Sequence, residues 1–125
     1  GVVIQKRRAG GVTPAVVAAS MGASEHLLIT RVTNLARTIE QLRSEDVWVA
    51  GLHPGPDSLS LNQCDLNRAL VLVVGNEGKG LRHLVRERCD FLMNIPMRGR
   101  VQSLNAAVAG SLALYAARTA RDAIA

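Results

Sequence analysis

Aromatic side chains are scarce: the 125 residues include one Trp, one Tyr and one Phe. Proteins that stack single-stranded bases on aromatic platforms need more of them, so that mode of binding has little material here. Cysteine is scarce too. Cys64 and Cys89 lie far apart and form no CxxC. Two are too few for a disulfide framework or a tetrahedral zinc set, and they read as reduced thiols of a cytoplasmic protein. His26, His53 and His83 share no metal-ligand spacing, so no metal is expected. No apolar run approaches the about 20 residues that a membrane-spanning helix requires, and no membrane partner is expected. The N-terminus does not read as a signal peptide, because its apolar segment precedes the charges Lys6, Arg7 and Arg8.

What is present suits a packed core. Hydrophobic residues make up 48% of the chain, mostly Val, Leu, Ala and Ile, and the length fits a single domain. The net charge of +5 points to a polyanionic partner. Apolar runs alternate with helical patterns. Val2-Val3-Ile4 is expected as a strand buried on both faces. Thr13 followed by Pro14 marks a helix start, and the short helix Ala15–Ser20 ends near Gly22. Leu27-Leu28-Ile29 is a second strand candidate. Asn34 caps a helix with Leu35, Ile39 and Leu42 on one face and Arg37, Glu40 and Arg43 on the other. Val47–Ala50 is a third strand, with Trp48 expected in the core. Residues 51–68 read as a loop with at most one short element. The most apolar strand is Ala69–Val74. A short helix over Leu81–Arg88 should pack Leu81, Leu84 and Val85. A last strand, Phe91–Ile95, stops at Pro96. Ser103 then caps a long Ala-rich helix whose Leu104, Val108 and Leu112 recur at helical spacing. This alternation implies an α/β fold with a mainly parallel sheet covered by helices. Ligands of such sheets sit at the carboxyl ends of the strands.

Two segments at such ends could carry chemistry. The first is Gly75-Asn76-Glu77-Gly78-Lys79-Gly80, directly after the most apolar strand. Its glycines allow close approach of backbone to a ligand. The order GxxGxG matches neither a phosphate-binding GxxxxGK[ST] nor a dinucleotide-binding GxGxxG. A tight strand-to-helix turn would explain the glycines but not Glu77. The second segment runs from Asn94 to Asn105 and joins a strand to a helix. Read singly, Ser103 and Asn105 are a cap and a first-turn polar group. The helix start also offers N–H groups to an anionic or polar ligand.

Together the two segments resemble a family. LVVGNEGKGL is similar to the second motif of the SpoU/TrmH class of knotted SPOUT methyltransferases, and NIPMRGRVQSLNAAVAGSLALY to the third. The spacing between them fits, and the upstream stretch from Gly10 to Leu52 also resembles the family. The likeness covers nearly the whole chain and is greatest to the bacterial 23S rRNA guanosine 2′-O-methyltransferase branch. It implies a Rossmann-like parallel sheet with a C-terminal deep trefoil knot. It implies S-adenosylmethionine as cofactor and methyl transfer to a ribose 2′-hydroxyl of structured RNA, rRNA first and tRNA second. By the same resemblance Gly75, Ile95 and Leu104 hold the cofactor through backbone groups. Val74, Asn76, Gly78, Gly80, Pro96 and Met97 wall the pocket, and Glu77, Ser103 and Asn105 are the polar residues of the catalytic site. Family members are usually homodimers. The basic residues Arg7, Arg8, Lys79, Arg82, Arg98 and Arg100 fall in loops and first turns, where they could grip RNA phosphates.

The family's first motif, an Asn, a Gly-rich stretch and an Arg ahead of the first strand, has no match here. Arg7 and Arg8 lie after that strand and do not replace the Arg. The chain is therefore expected to be a single methyltransferase domain, residues 1–125, that is incomplete at its N-terminus and by itself weakly active or inactive. One alternative is a non-catalytic RNA-binding or dimerisation module that keeps the knotted fold. Another is an ordinary nucleotide-binding enzyme, which rests on the glycine loop alone.

Overall fold

The computed structural model describes residues 1–6, 11–75, 80–100 and 104–124. They form two compact units, Gly1–Thr38 and Ile39–Ala125. In the first unit, β1 (Val2–Gln5) pairs in parallel with β2 (Ile29–Val32). Between them lie α1 (Pro14–Ala19) and a 3₁₀ turn, Ala23–His26. The start of α1 is as the sequence indicates. Pro14 occupies the first turn, and the Val16 N–H donates to Thr13 Oγ1 at 3.3 Å. Met21 and Gly22 are both left-handed (φ 55° and 80°), which ends the helix. The second strand differs from expectation. It begins at Ile29, not Leu27, and Leu28 is 85% exposed. Pairing sets its bounds: Thr30 and Arg31 enter the ladder opposite Val3 and Ile4. The Arg31 guanidinium donates back to the Lys6 carbonyl at 3.2 Å. Nor is β1 buried on both faces, since Val2 and Val3 are exposed.

α2 (Leu35–Ser44) starts where Asn34 Oδ1 accepts from the Arg37 N–H at 3.1 Å. It buries Ile39, half-buries Leu35 and Leu42, and leaves Arg37, Glu40 and Arg43 outside, as its pattern predicts. The second unit is built on a four-stranded, all-parallel sheet of order β4-β6-β3-β5. Its strands are β3 (Trp48–Leu52), β4 (Leu59–Ser60), β5 (Leu70–Val74) and β6 (Phe91–Asn94). β3 sits between β6 and β5, and its Val49 and Ala50 are fully buried. The long apolar strand β5 is instead the outer strand of this sheet and only half-buried. Within the 51–68 region, β3 extends to Leu52. β4 then leads into a 3₁₀ turn, Leu61–Gln63, closed by a capping box between Ser60 and Gln63.

One sequence expectation about packing fails, and the final helix packs in a way its apolar pattern does not show. Trp48 opens β3 at the end of the sheet and is exposed, with the Arg68 guanidinium 4.2 Å from its ring centre. The final helix, α4 (Ala106–Ile124), turns a different face inward. Gly110 and Ala113 are buried and Ala109, Ala116, Ala117 and Ala120 pack on the core of Ala50, Leu52, Leu66 and Met93. Val108 and Leu112 are exposed, as are Leu114 and Tyr115. Small side chains let the helix lie close to β5: a Cβ on Gly110 would stand 3.4 Å from Val74 Cγ2. Along α3 (His83–Arg88), likewise, Val85 is half-buried but Leu84 is exposed, while Leu81 ahead of it is buried.

Candidate functional site

Parallel strands share their carboxyl ends, so the sheet itself brings the two sequence segments to one edge. Leu52 of β3 stands opposite both Val74 of β5 and Met93 of β6. Gly75 therefore leaves the sheet on one side of β3, and Ile95 on the other. Leu104 lies two residues before α4, whose Gly110 packs against Val74. Ile95, Met97 and Leu104 are half-buried, and Pro96 is exposed. Arg82, Arg98 and Arg100 are exposed and carry no ion pair to a described residue. Asn76, Glu77, Gly78, Lys79, Ser103, Arg7 and Arg8 lie outside the described residues.

The glycines at the two ends of the first segment have a structural role, as the tight-turn reading of the sequence allowed. A Cβ on Gly75 would collide with the Gly80 carbonyl and come within 2.9 Å of the Leu81 nitrogen. Gly80 is left-handed (φ 69°), and a Cβ there would strike the His53 ring and stand 2.9 Å from Pro54 Cδ. The backbone leaves at Gly75 and returns to touch it at Gly80. Both glycines are needed for that closure, whatever a ligand requires.

His53 is the site residue that the sequence did not mark. It follows β3 at the same edge, and its N–H donates to the Met93 carbonyl at 3.0 Å. Its Nδ1 faces the Leu81 N–H at 3.0 Å, and its Nε2 faces Arg86 of α3 at 3.1 Å. Burial, and then the Arg86 charge, hold its pKa below the usual histidine value. The loop beyond it is tied down as well. The Ser58 hydroxyl donates to the His53 carbonyl, and Asn94 Nδ2 donates to the Ser58 carbonyl at 3.2 Å. The only signal for His53 in the sequence was its place after an apolar strand, and ending that strand at Ala50 put it in a loop.

The helix start also differs from expectation. Asn105, not Ser103, caps α4: its Oδ1 accepts from the N–H groups of Ala107, at 2.8 Å, and Val108, at 3.3 Å. Those two donors are spent on the cap and are not offered to an anion. The Leu81 N–H, at the exit of the glycine turn, is likewise engaged with His53.

The family model for the SpoU rRNA Methylase family matches residues 1–115. The chain belongs to the SpoU rRNA methylase family. It is 50% identical over 115 residues to a Bacillus subtilis protein named as a TrmH family tRNA/rRNA methyltransferase, YacO, covering 92% of this chain and 46% of that protein. To the 23S rRNA (guanosine-2′-O-)-methyltransferase RlmB of Coxiella burnetii it is 46% identical over 122 residues, covering 98% of this chain and 48% of RlmB. Its structure is similar to that of the SpoU methyltransferase AviRb from Streptomyces viridochromogenes in complex with the cofactor AdoMet (S-adenosylmethionine). The TM-score is 0.82 at 27% identity, over 98% of this chain and 49% of AviRb. The chain thus spans about half the length of each of these relatives. The parallel α/β fold inferred from its sequence is the fold of its SpoU/TrmH structural relatives.

Proposed function

We propose that this SpoU-family protein is the catalytic part of an S-adenosylmethionine-dependent RNA ribose 2′-O-methyltransferase that acts on structured RNA, with 23S rRNA as the substrate class. The observation that carries the proposal is the match of residues 1–115 to the SpoU family, together with the meeting of its Gly75 and Ile95 segments at one sheet edge. The residues there fit the cofactor by chemistry. Half-buried Ile95, Met97 and Leu104 suit a flat adenine ring, and backbone groups at Gly75, Ile95 and Leu104 can bond its edge and the ribose. When bound, S-adenosylmethionine supplies a methyl group already activated by a sulfonium. The 2′-oxygen attacks the methyl carbon, the C–S bond breaks, its electron pair returns to sulfur, and the 2′-proton leaves to a base or water. The protein's part is in-line positioning and help with that proton. In this reading Glu77 orients, and Ser103 and Asn105 fix the cofactor or the target nucleotide. Arg82, Arg98 and Arg100, joined by Arg7, Arg8 and Lys79, engage RNA phosphates.

Four further features belong to the same proposal. The two compact units serve a single methyltransferase domain. The segment that follows β6 forms the family's trefoil knot. The enzyme works in the cytoplasm as a homodimer. The exposed Val108, Leu112 and Tyr115, which share one side of α4, give the dimer an apolar face to bury. The function is tested by incubating the full-length protein with methyl-labelled S-adenosylmethionine and rRNA from cells that lack it. Incorporation into 23S rRNA is expected. RNA binding without incorporation would favour the non-catalytic alternative.

A further inference from the structure

We propose that His53 is a positioning residue for the cofactor site: its neutral imidazole accepts the Leu81 N–H and fixes Gly80 beside Gly75, so that cofactor affinity falls when the ring is protonated. The inference rests on the cofactor reading above.

The geometry leaves the ring little choice of charge. Two donors flank it, the Leu81 N–H at 3.0 Å from Nδ1 and the Arg86 guanidinium at 3.1 Å from Nε2. A neutral imidazole has one acceptor nitrogen and satisfies one of them. An imidazolium has none, and would set a cation against a guanidinium and an amide donor. The backbone amide is aligned on Nδ1, whereas the guanidinium has a second acceptor close by: its other terminal nitrogen is 3.2 Å from His83 Nδ1, and His83 in turn meets Glu87 at 2.9 Å. The tautomer with its lone pair on Nδ1 is therefore favoured. Among the described residues, Arg86 is the charged group against the ring, with His83 and Glu87 behind it. The backbone of His53 is held separately: its N–H donates to the Met93 carbonyl of β6, and its carbonyl accepts the Ser58 hydroxyl. Gly80 touches the ring so closely that no Cβ fits between them. Loss of the Leu81 bond thus removes a contact that holds Gly80 and Leu81 against the His53 ring.

Two substitutions separate the ring's two contacts. His53→Asn places a non-titrating oxygen where Nδ1 stands, and His53→Gln places one where Nε2 stands. In the full-length protein, exchange of the Leu81 amide is read by NMR between pH 7.5 and 5 and normalised to the unprotected rate at each pH. Affinity for S-adenosylhomocysteine is measured calorimetrically alongside. In the wild type, protection and affinity should both fall as the pH drops below about 6.5, the ordinary histidine value. His53→Asn should keep both across the range. His53→Gln should lower both by about tenfold at pH 7.5, the worth of one net hydrogen bond, while β3 amides stay protected and report an intact fold. His83 is present in every variant, so the difference belongs to His53. Full Leu81 protection in His53→Gln, or the same acid loss in His53→Asn as in the wild type, overturns the proposal. Unchanged S-adenosylhomocysteine affinity in His53→Gln overturns it and leaves the cofactor reading standing. Leu81 protection that behaves as expected in a wild type that binds no S-adenosylhomocysteine at pH 7.5 instead sinks the cofactor reading, and the role of His53 with it.

Discussion

Asp90 shows how single polar groups hold this fold. It lies just ahead of β6, and its Oδ2 accepts the N–H of Val49, a fully buried residue of the central strand, at 2.7 Å. Its Oδ1 meets Arg43 of α2 at 3.0 Å. Asp90→Ala leaves the Val49 amide without this acceptor, and urea unfolding should show a loss of about 1–3 kcal/mol. Asp90→Asn keeps an acceptor and should lose less. Next to it, burial and then the Asp90 charge raise the Cys89 thiol to about 11, against 9.0 for a free thiol, with Arg43 pulling the other way. A thiol whose pKa is raised on folding adds stability that is full below pH 9 and is lost as the pH climbs towards 11. Iodoacetamide at pH 8 should therefore modify Cys89 far more slowly in the folded protein than in urea, a difference that mass spectrometry reads directly. The Asp90 and His53 contacts were not legible in the sequence, because each joins residues distant in sequence through the parallel sheet.

At the scale of elements, α4 tests the account best. The sequence marks a long helix, yet the face it buries is not its apolar stripe of Val108 and Leu112. Alanine and glycine count weakly in a hydrophobic pattern, but here they decide the packing, because only small residues let α4 approach β5 and bring Ala113 to full burial. The larger Val108, Leu112, Leu114 and Tyr115 are left on the outside. If the side that carries Val108, Leu112 and Tyr115 meets a second copy, Leu112→Glu with Tyr115→Glu should convert a dimer to a monomer in sedimentation while the helical circular dichroism persists. A wild type that is already monomeric at high micromolar concentration contradicts the dimer. The strand bounds follow the same lesson. β2 was placed two residues early at its start and three at its end because its ladder takes in Thr30 and Arg31, and pairing rather than hydropathy fixes its ends. α1 and α2 were legible at their starts because their caps are local, Thr13 with Val16 and Asn34 with Arg37.

For the molecule as a whole, the alternation of strands and helices was enough to give the parallel α/β class, and the paired motifs were enough to give the family, which the match over residues 1–115 bears out. The shared edge of Gly75 and Ile95 follows from the parallel class, but their placement on either side of β3 follows from the strand order β6-β3-β5, which no local pattern encodes. The central claim is that the methyl group goes to a ribose 2′-oxygen. Methylation there removes the nucleophile that alkali uses to cleave the neighbouring phosphodiester. The most direct test is to let the full-length protein transfer labelled methyl groups to 23S rRNA and then hydrolyse the RNA in alkali. The account predicts label in alkali-resistant dinucleotides at a defined site. Label released in single nucleotides, which would place the methyl group on a base, contradicts it.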